Sequence, residues 1–548
     1  MTEQQETPLS AFYKWEKQTP EQIFLRQPIE GVWKSWTYQQ AGVEIRRMAT
    51  ALRSLHFPPQ SNIAILSKNC AHWILADLSI MMSGHVSVPV YATLSGPGVK
   101  QILDHSESKL IFLGKVDDYE LQRSGIGQDL HKISFPFYGP PDGLKWDDLL
   151  RIHEPLLENN TPDPDQLASI MYSSGTTGTP KGVMLSFGSF GYVGRQVRKY
   201  FHLDKPQLFF SYLPLSHIAE RALMEMVALS SGSTISFTES LQKFPEDLQH
   251  EQPTIFGGVP RIFAKFQEGI FRKIPEEKFN KLLSIPLVSM VLKKIIIKKL
   301  GLGKASPIVC GAAPTPVSLL KWFKGIGLDI RETYGMTENT AYSHSNYRLI
   351  KIGTVGQAWP EVDVKCDPQG EILIRHRAMM KGYYKDPVTT ASVFTDDGFL
   401  KTGDQGVIDS QGFLTITGRL KDQFKTDKAK FIAPAPIELK FSTNTDIDQV
   451  CVVGTGLPQP IALITLSLTG REKAKEPLAT EIKKTLDSVN LTLEKYEQIR
   501  VVVILKDGWT IENGLMTPSL KVKRNAVEKL HTSRYLEWFK QEKEIVWE

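Results

Sequence analysis

The chain of 548 residues is 41% hydrophobic and 23% charged, an ordinary globular balance, and its length predicts about two to four folding units. Its net charge of +5 is too small a bias to indicate a nucleic-acid-binding protein. The four cysteines, Cys70, Cys310, Cys366 and Cys451, are too widely spaced for a zinc knuckle or a CxxC motif, so they indicate neither a metal site nor a disulfide framework.

The first residues, MTEQQETPLSAFYKW, are polar and acidic and lack the apolar core of a signal peptide. No apolar run reaches the roughly 18 residues that a membrane span needs. We therefore expect a cytoplasmic protein, and peripheral contact with the inner face of a membrane stays open.

Strand-like and helix-like segments alternate through the first three quarters of the chain. NIAILS (62–67) is a short apolar run suited to a buried strand, WILADLSIMMSG is a helical pattern that ends in glycine, and VSVPVY is a second strand. This β-α-β order predicts parallel sheets flanked by helices. LFFSYLP, TISFTE, TIFGGVP and IVCGA are further candidates for short strands.

The pattern changes after Gly353. VDVKCDPQGEILIRH and GVIDSQGFLTITGR each consist of two alternating strands around a turn, which predicts antiparallel hairpins. The remaining residues read as a small α+β unit, with strands at QVCVVG, IALITLSL and IRVVVIL and a helix rich in lysine and glutamate from about Leu520.

A basic stretch, VLKKIIIKKLGLGK (291–304), alternates apolar residues and lysines at helical spacing. One interpretation is a helix that lies on a membrane surface. The other is an amphipathic helix that packs against the protein and turns its lysines to solvent, and we favour it because such helices are common on globular proteins.

The stretch YSSGTTGTPKG (172–182) is rich in glycine, threonine and serine between two strand-like segments. Glycines let a backbone approach an anion closely, and hydroxyl groups and a lysine add donors, so the stretch is suited to phosphate. It is not a Walker loop, because Pro180 precedes the lysine, Gly182 follows it, and no helix comes next.

This loop resembles the phosphate loop of the adenylate-forming superfamily, which includes acyl-CoA synthetases, luciferases and peptide-synthetase adenylation domains. Further segments resemble the same superfamily in the same order along nearly the whole chain: LPLSHIAER, PTIFGGVPRIFAKF, CGAAPTP, ETYGMTE, KTGDQG, GRLKDQFKT and MTPSLKVKRN. The resemblance implies an α/β fold, with a large N-terminal domain of α/β subdomains that combine parallel-type sheets and antiparallel hairpins (1–418). A hinge (419–422) and a small, mobile α+β C-terminal domain (423–548) would follow.

The resemblance also assigns roles to single residues around ATP. The phosphate loop would hold the β- and γ-phosphates through Ser173, Ser174, Gly175, Thr176, Thr177, Gly178, Thr179 and Lys181. The backbone at Ala312 and Ala313 would lie against adenine. The ETYGMTE segment would contribute Thr333, Tyr334, Gly335, Met336, Thr337 and Glu338. Within it, Tyr334 is suited to stack on adenine, Thr337 can donate to the α-phosphate, and Glu338 is an oxygen ligand of the type that Mg²⁺ prefers. The resemblance implies that Thr177 joins Glu338 at the metal.

Asp404 would accept the ribose hydroxyls, and Arg419 would grip ribose or phosphate. Lys421 resembles the hinge residue, and Lys425 resembles a lysine that faces the site in a second conformation. His217 would lie near the carboxylate and the phosphates, although a purely structural histidine is the alternative.

The last of the resembling segments carries the essential lysine of the superfamily. We assign that role to Lys521, with Lys523 as its rival. Two positions depart from the pattern, because relatives usually have glycine near Ala429 and often histidine at Phe187. Many relatives also have glycine at Ala312.

The implied activity is ATP-dependent conversion of a carboxylate to acyl-AMP with release of pyrophosphate, followed by transfer to CoA. The details of the motifs resemble long-chain fatty acyl-CoA synthetases, so fatty acid, ATP, Mg²⁺ and CoA are the expected substrates and cofactors. Three alternatives stay open. They are an acyl-AMP ligase that loads an acyl carrier protein, a synthetase for a medium-chain or aryl acid, and a non-catalytic relative that binds adenylate or lipid.

Overall fold

A computed structural model describes residues 6–173, 180–511, 513–517 and 521–548. The largest sheet has eight strands, and six of them are parallel. From one edge to the other, the strands are Gly382–Tyr383, Lys181–Ser186, Leu167–Ser173, Val86–Val90, Asn62–Leu66, Leu110–Leu113, His131–Ser134 and Leu144–Lys145. The central strands are buried along their whole length, because helices cover both faces, and this explains their continuous apolar sequences.

Two further sheets lie beside the first and begin with parallel strands. One consists of Leu208–Ser211, Thr234–Phe237, Ile23–Ile29 and Val32–Thr37. The other consists of Phe256–Gly258, Ile308–Cys310, Ile330–Tyr334, His344–Ser345 and Gln357–Ala358. A fourth sheet is entirely antiparallel and contains both predicted hairpins, in the order Asp363–Cys366, Glu371–Arg375, Leu400–Ile408 and Leu414–Arg419.

Helices pack around these sheets, and most of them turn apolar residues toward the sheets. Before residue 420 the α-helices are Pro8–Gln18, Tyr38–Ser54, Ala71–Ser83, Gly96–Ser106, Tyr119–Arg123, Trp146–Ile152, Phe187–Tyr200, Ile218–Glu220, Met226–Ser231, Phe244–Glu251, Pro260–Lys273, Glu276–Leu283, Pro286–Lys299, Val317–Ile326 and Pro387–Val393. A π-helical turn covers Arg221–Glu225, and a 3₁₀ turn covers Thr337–Asn339.

The C-terminal part is a smaller α+β unit. A 3₁₀ turn, Leu420–Asp422, leads into it, and the short strands Phe424–Lys425 and Phe431–Ile432 form its first hairpin. Its main sheet has the order Ile447–Val453, Ile461–Leu466, Val502–Ile504 and Ile545–Trp547. Its helices are Pro434–Phe441, Leu468–Glu472, Lys475–Asn490, Arg524–His531, the 3₁₀ turn Thr532–Arg534, and Tyr535–Phe539.

This architecture confirms the predicted fold class. The predicted helix from about Leu520 begins later, at Arg524, because the preceding residues return in a bridge between Met516 and Val522. Across the part of the chain that is described, no helix combines the length and the apolar character that a bilayer crossing requires.

One ion pair connects the two parts of the chain. Arg261, at the start of the helix Pro260–Lys273, donates through Nη2 to both carboxylate oxygens of Asp448, at 2.8 and 3.2 Å. Both side chains are partly exposed. Between residues 6–418 and 423–548, it is the only ion pair that the described residues form.

Candidate active site

The predicted phosphate loop connects two antiparallel strands of the large sheet. Ser173 ends one strand and pairs with Lys181, which begins the other. The remaining loop residues that the sequence assigned to phosphate lie outside the described residues, namely Ser174, Gly175, Thr176, Thr177, Gly178 and Thr179. The fold therefore places the two ends of the loop side by side, as a hairpin tip requires.

Lys181 and Glu338 both contact the side chain of one tyrosine, Tyr383. The Nζ of Lys181 is 4.9 Å from the ring centroid of Tyr383, and the Tyr383 hydroxyl donates a 2.9 Å hydrogen bond to Oε1 of Glu338. Glu338 is buried, and burial raises the pKa of its carboxyl, while the positive charges of Arg419 and Lys181 counteract the rise. Sequence reasoning missed Tyr383, which reaches the site because its strand, Gly382–Tyr383, pairs with the strand that carries Lys181.

Three further predicted residues are joined to one another by hydrogen bonds. The hydroxyl of Tyr334 donates to Oδ2 of Asp404 at 2.7 Å, and Nε of Arg419 donates to Oδ1 at 2.8 Å. Asp404 and Arg419 are direct partners on neighbouring strands, so the fold fixes this pair. A carboxylate has about four acceptor sites, so Asp404 can accept further hydrogen bonds from a ligand's hydroxyls.

The ETYGMTE segment runs from the end of a strand into the 3₁₀ turn Thr337–Asn339. The hydroxyl of Thr333 donates to the carbonyl of His344 at 2.9 Å, and the N–H of Met336 donates to the side chain of Asn339. A β-carbon at Gly335 would lie 2.6 Å from the backbone of Ala341, so this position requires glycine. The segment is therefore tightly fixed up to Thr337 and Glu338.

Ala312 and Ala429 both adopt left-handed backbone conformations, with φ of 66° and 57°. At both positions the resemblance led us to expect glycine. A β-carbon there costs about 1–2 kcal/mol of local strain. Ala312 and Ala313 follow the strand Ile308–Cys310 at its carboxyl end, beside the strand that carries Tyr334.

His217 caps the short helix Ile218–Glu220. Its Nδ1 accepts the backbone N–H of Ala219 at 3.2 Å, so the neutral ring carries its proton on Nε2. Burial and the positive charge of Lys521 lower the pKa of His217 to about 3. At neutral pH this side chain is therefore an uncharged hydrogen-bond donor.

Lys521 comes from the C-terminal part and reaches the same group of residues. Lys521 is exposed to solvent, and nearby protein atoms together with the positive charge of Arg419 lower the pKa of its ammonium to about 8, while the carboxylate of Asp404 opposes the shift. Its backbone is held twice by Thr517: the Lys521 N–H donates to the Thr517 hydroxyl at 3.0 Å, and the Thr517 N–H donates to the Lys521 carbonyl at 2.7 Å.

Other residues that the sequence assigned to the site stand apart from this group. Lys523, the rival of Lys521, is exposed, as Lys521 is, and it directly precedes the helix Arg524–His531. Lys425 is exposed, and its Nζ lies 4.7 Å from the ring centroid of Phe431. Lys421 lies in the 3₁₀ turn that connects the two parts of the chain. Phe187, the other departure, is fully buried at the start of its helix.

A buried charge cluster lies directly behind His217, and sequence reasoning missed it. Nη2 of Arg221 donates to both carboxylate oxygens of Asp77, at 2.7 and 2.8 Å, and its Nη1 is 3.8 Å from Glu225. All three side chains are fully buried, and the guanidinium lies over the rings of Trp73 and Phe190. The motif LPLSHIAER contained one indication of a buried charge, since the charged residues Glu220 and Arg221 follow a largely apolar segment.

The cluster coincides with the π-helical turn Arg221–Glu225, and such turns frequently occur at functional sites. Burial raises the pKa of Glu225 well above its ordinary value, although the Arg221 charge opposes this. Burial also raises the pKa of Glu220 to about 8, against hydrogen bonds from the Ser211 hydroxyl and the Tyr212 N–H. The turn that carries His217 is thus held in place by the buried interactions of Glu220 and Arg221.

An apolar cavity of about 40 Å³ is lined in part by Thr333, the residue before Tyr334. Its lining is aliphatic and aromatic apart from two hydroxyl groups, and consists of Val197, Phe201, Leu203, Phe209, Leu223, Val227, Ile255, Pro307, Val309, Thr333, Ser345 and Trp359. A space of this size holds roughly two or three water molecules. A larger apolar ligand would enter only if the lining side chains moved apart.

The described residues contain no group of three or more histidine, cysteine, aspartate or glutamate side chains that could hold a metal ion without further ligands. Glu338 is a single buried carboxylate. That arrangement fits Mg²⁺, which is commonly bound by one or two carboxylates together with substrate phosphates.

Two family models match the chain. The model described as AMP-binding enzyme matches residues 12–384, and the model described as AMP-binding enzyme C-terminal domain matches residues 422–542. The chain belongs to the AMP-binding enzyme family. The resemblance to adenylate-forming enzymes is thereby confirmed.

This AMP-binding enzyme is similar to curated proteins over almost its whole length. It is 29% identical to the long-chain-fatty-acid–CoA ligase FadD15 of Mycobacterium bovis, with 95% of each chain covered. It is 27% identical to long chain acyl-CoA synthetase 5 of Arabidopsis thaliana, with 94% of this chain and 88% of the relative covered.

Solved structures share the fold of this AMP-binding enzyme. The adenylation domain of a carboxylate reductase from Mycobacterium chelonae superimposes with a TM-score of 0.82 at 20% identity, covering 98% of this chain and 92% of that one. The anthranilate CoA ligase AuaEII in complex with anthranoyl-AMP gives a TM-score of 0.79 at 18% identity, covering 96% and 98%. At these identities the similarity is one of fold.

Proposed function

We propose that the protein activates a long-chain fatty acid as acyl-AMP and transfers the acyl group to CoA. The observation that carries the proposal is the match to long-chain fatty acid–CoA ligases, which extends over nearly the full length of this chain and of the M. bovis relative. The apolar cavity supports it, because an acyl tail needs an apolar lining and Thr333, one of the residues assigned to ATP, is among the residues that line this cavity.

In the first step, a carboxylate oxygen of the fatty acid attacks the α-phosphorus of ATP and pyrophosphate leaves. The protein has to hold two anions together and stabilise the charge that develops between them. The ammonium of Lys521 and the Nε2–H donor of His217 are suited to the carboxylate and α-phosphate oxygens. Asp404 and Arg419 are suited to the ribose, and Ser173 and Lys181 flank the loop proposed for the β- and γ-phosphates.

Glu338 would hold Mg²⁺, together with Thr177 of the phosphate loop. When bound, the ion supplies positive charge to the phosphate oxygens. The contribution of this chain is orientation, since Tyr383 fixes one oxygen of Glu338 by its hydrogen bond and leaves the other oxygen as a ligand.

In the second step, the CoA thiol attacks the acyl carbonyl and AMP leaves. We propose that Lys521 obstructs the approach of the thiol and that the C-terminal part (423–548) therefore rotates about residues 419–422, with Lys421 as the hinge. The exposed position of Lys425 supports a role for this lysine only after the rotation.

Replacing Tyr383 by phenylalanine should weaken the binding of Mg²⁺ without unfolding the protein, so that more Mg²⁺ is needed for activity. Removal of a hydrogen bond to a metal-ligating carboxylate typically costs about 10- to 100-fold in metal affinity. The measurement is the Mg²⁺ concentration that gives half-maximal pyrophosphate release. Tyr384→Phe is the matched control, because the Tyr384 hydroxyl contacts Asn62 instead. Equal Mg²⁺ dependence in both variants would contradict the role of Tyr383.

The rate of acyl-AMP formation should fall as pH rises through about 8. Folding lowers the pKa of Lys521 to about 8, so the ammonium that the first step requires is lost well below the pH at which an ordinary lysine deprotonates. A pH–rate profile of kcat/KM tests this, with Lys521→Arg as the comparison, since arginine remains charged and should move the alkaline limb upward. An unchanged limb in that variant would assign it to another group.

Pyrophosphate release on a panel of carboxylates tests the proposed activity. The panel contains acetate, octanoate, palmitate, benzoate and leucine, each with and without CoA. We expect the highest kcat/KM with palmitate and the formation of palmitoyl-CoA. Maximal turnover on benzoate or leucine would overturn the fatty-acid assignment, and acyl-AMP that is not consumed by CoA would favour transfer to a carrier protein.

Replacing Val309 by phenylalanine should discriminate among acyl chain lengths. Val309 lines the cavity, and a larger side chain fills space that the tail would use. We expect kcat/KM for palmitate to fall by about 10-fold or more while that for acetate is retained, since apolar fit of this kind is worth about 1–3 kcal/mol. Val388→Phe is the control, because Val388 is 80% exposed. An equal loss on both substrates would place the tail elsewhere.

A further inference from the structure

The helix Pro286–Lys299 leaves most of its apolar side chains uncovered. Apart from Ser289 and Ile296, its residues are exposed or only partly covered. The exposed fractions are 74% for Leu287, 61% for Met290, 56% for Val291 and 47% for Ile295. The sequence favoured an amphipathic helix that packs its apolar side chains against the protein. The structure agrees for Ile296, which is buried, but not for Val291 and Ile295, which are exposed.

The uncovered residues share one face. Leu287, Val291 and Lys294 succeed one another at intervals of four and three residues, and Met290 and Lys298 lie on the same side. We call this surface, together with the flanking Ile295 and Lys299, the outer face of the helix. Aliphatic side chains occupy its first half, and lysines occupy its second half.

The surroundings of the outer face are strongly basic. Residues 278–304 contain no aspartate or glutamate and seven lysines, namely Lys278, Lys281, Lys293, Lys294, Lys298, Lys299 and Lys304. Among the described residues, none of the seven forms an ion pair. The nearest acidic residues in sequence, Glu276 and Glu277, begin the preceding helix. The positive charge of this region is therefore not neutralised locally.

We propose that the outer face docks on the surface of a lipid bilayer that carries anionic headgroups. Helices that lie in the membrane interface combine an apolar face with flanking lysines, and each lysine near an anionic surface adds attraction. A second copy of the chain fits less well, because a symmetric contact would place the lysines of one copy against the lysines or the aliphatic side chains of the other, and residues 278–304 offer them no acidic partner. Protein partners are also disfavoured, because the outer face lacks the tyrosine, tryptophan and arginine that typically anchor such interfaces.

Docking of this kind would place the enzyme where its proposed substrate is most concentrated, since long-chain fatty acids partition into bilayers. This consequence rests on the proposed function, whereas the docking itself does not. Binding to vesicles can be measured without turnover, so a failure of docking and a failure of the proposed activity are distinguishable.

The test is cosedimentation of the full chain with phosphatidylcholine vesicles that contain or lack phosphatidylglycerol. Two variants remove the proposed contacts: Leu287→Ser/Met290→Ser/Ile295→Ser and Lys294→Gln/Lys298→Gln/Lys299→Gln. Two variants with matched exposed residues elsewhere serve as controls: Leu157→Ser/Leu468→Ser/Leu491→Ser and Lys17→Gln/Lys109→Gln/Lys205→Gln. None of these residues lies in the proposed active site.

We expect the wild type and both controls to bind the vesicles that contain phosphatidylglycerol, and added salt to weaken the binding. Each outer-face variant should bind about 10-fold or more weakly. Turnover of octanoate in solution should be unchanged, while turnover of palmitate carried in vesicles should fall. Equal binding by the wild type and both outer-face variants would overturn the proposal, as would the absence of wild-type binding. Self-association without lipid that both outer-face variants abolish would assign the face to a second copy instead.

Discussion

Replacing Lys521 by alanine should slow acyl-AMP formation by about 10²- to 10³-fold, the cost of removing one charged group that stabilises a transition state. Lys521 is the side chain of the C-terminal part whose charge interacts with Arg419, Asp404 and His217, so its loss removes positive charge from the α-phosphate end of the site. Thiol transfer from supplied acyl-AMP should be largely retained, because that step does not need this ammonium.

The two half-reactions are measured separately, the first as pyrophosphate release in a single turnover and the second as acyl-CoA formed from synthetic acyl-AMP. Lys523→Ala is the matched control, since this lysine lies two residues from Lys521, directly before the helix Arg524–His531. We expect it to leave both half-reactions close to wild type. A large loss of adenylation in the Lys523 variant, or an equal loss of both steps in the Lys521 variant, would reassign the role.

Replacing Arg221 by methionine should destabilise the protein by about 3–5 kcal/mol, the usual cost of removing one partner from a buried ion pair. The two hydrogen bonds to Asp77 disappear, and the Asp77 carboxylate is left charged and buried. Because the raised pKa of Glu225 already favours its neutral form, Asp77 is the carboxylate that loses the most stabilisation when the guanidinium is removed. The measurement is urea unfolding followed by circular dichroism.

A double variant separates the pair from the packing of the arginine. In Asp77→Leu/Arg221→Met both charges are absent, and apolar replacement of a buried ion pair is often close to neutral, so most of the lost stability should return. A double variant as unstable as the single one would show that Arg221 acts mainly through its contacts with the rings of Trp73 and Phe190. His217 lies on the same turn, so adenylation should fall in the single variant even below its unfolding transition.

The fold was largely predictable, because its elements follow local patterns. The strands at 62–66 and 86–90, the helix between them and the two hairpins after Gly353 all occur as the apolar periodicity predicts. The outer face was not predictable in the same way. Periodicity identifies the helix Pro286–Lys299, but which of its apolar residues are covered depends on neighbours that are distant in sequence.

The site was predictable only where a short segment carries its own indication. ETYGMTE and KTGDQG pointed to Tyr334 and Asp404, and the structure joins them by a hydrogen bond across 70 residues. Tyr383 and Asp77 gave no such indication, since each acts through a partner brought close by the fold, 45 residues away for Glu338 and 144 residues away for Arg221. Thr517 escaped notice because its contribution to Lys521 is made through hydrogen bonds to the backbone.

The ion pair between Arg261 and Asp448 is one of the contacts that hold the C-terminal part in the arrangement described. A partly exposed pair of this kind contributes at most about 1 kcal/mol, and dissolved salt weakens it. That energy changes the ratio of two conformers by only about fivefold. Through this pair, ionic strength therefore shifts the ratio between the arrangement described and the rotated one that we propose by no more than about this factor.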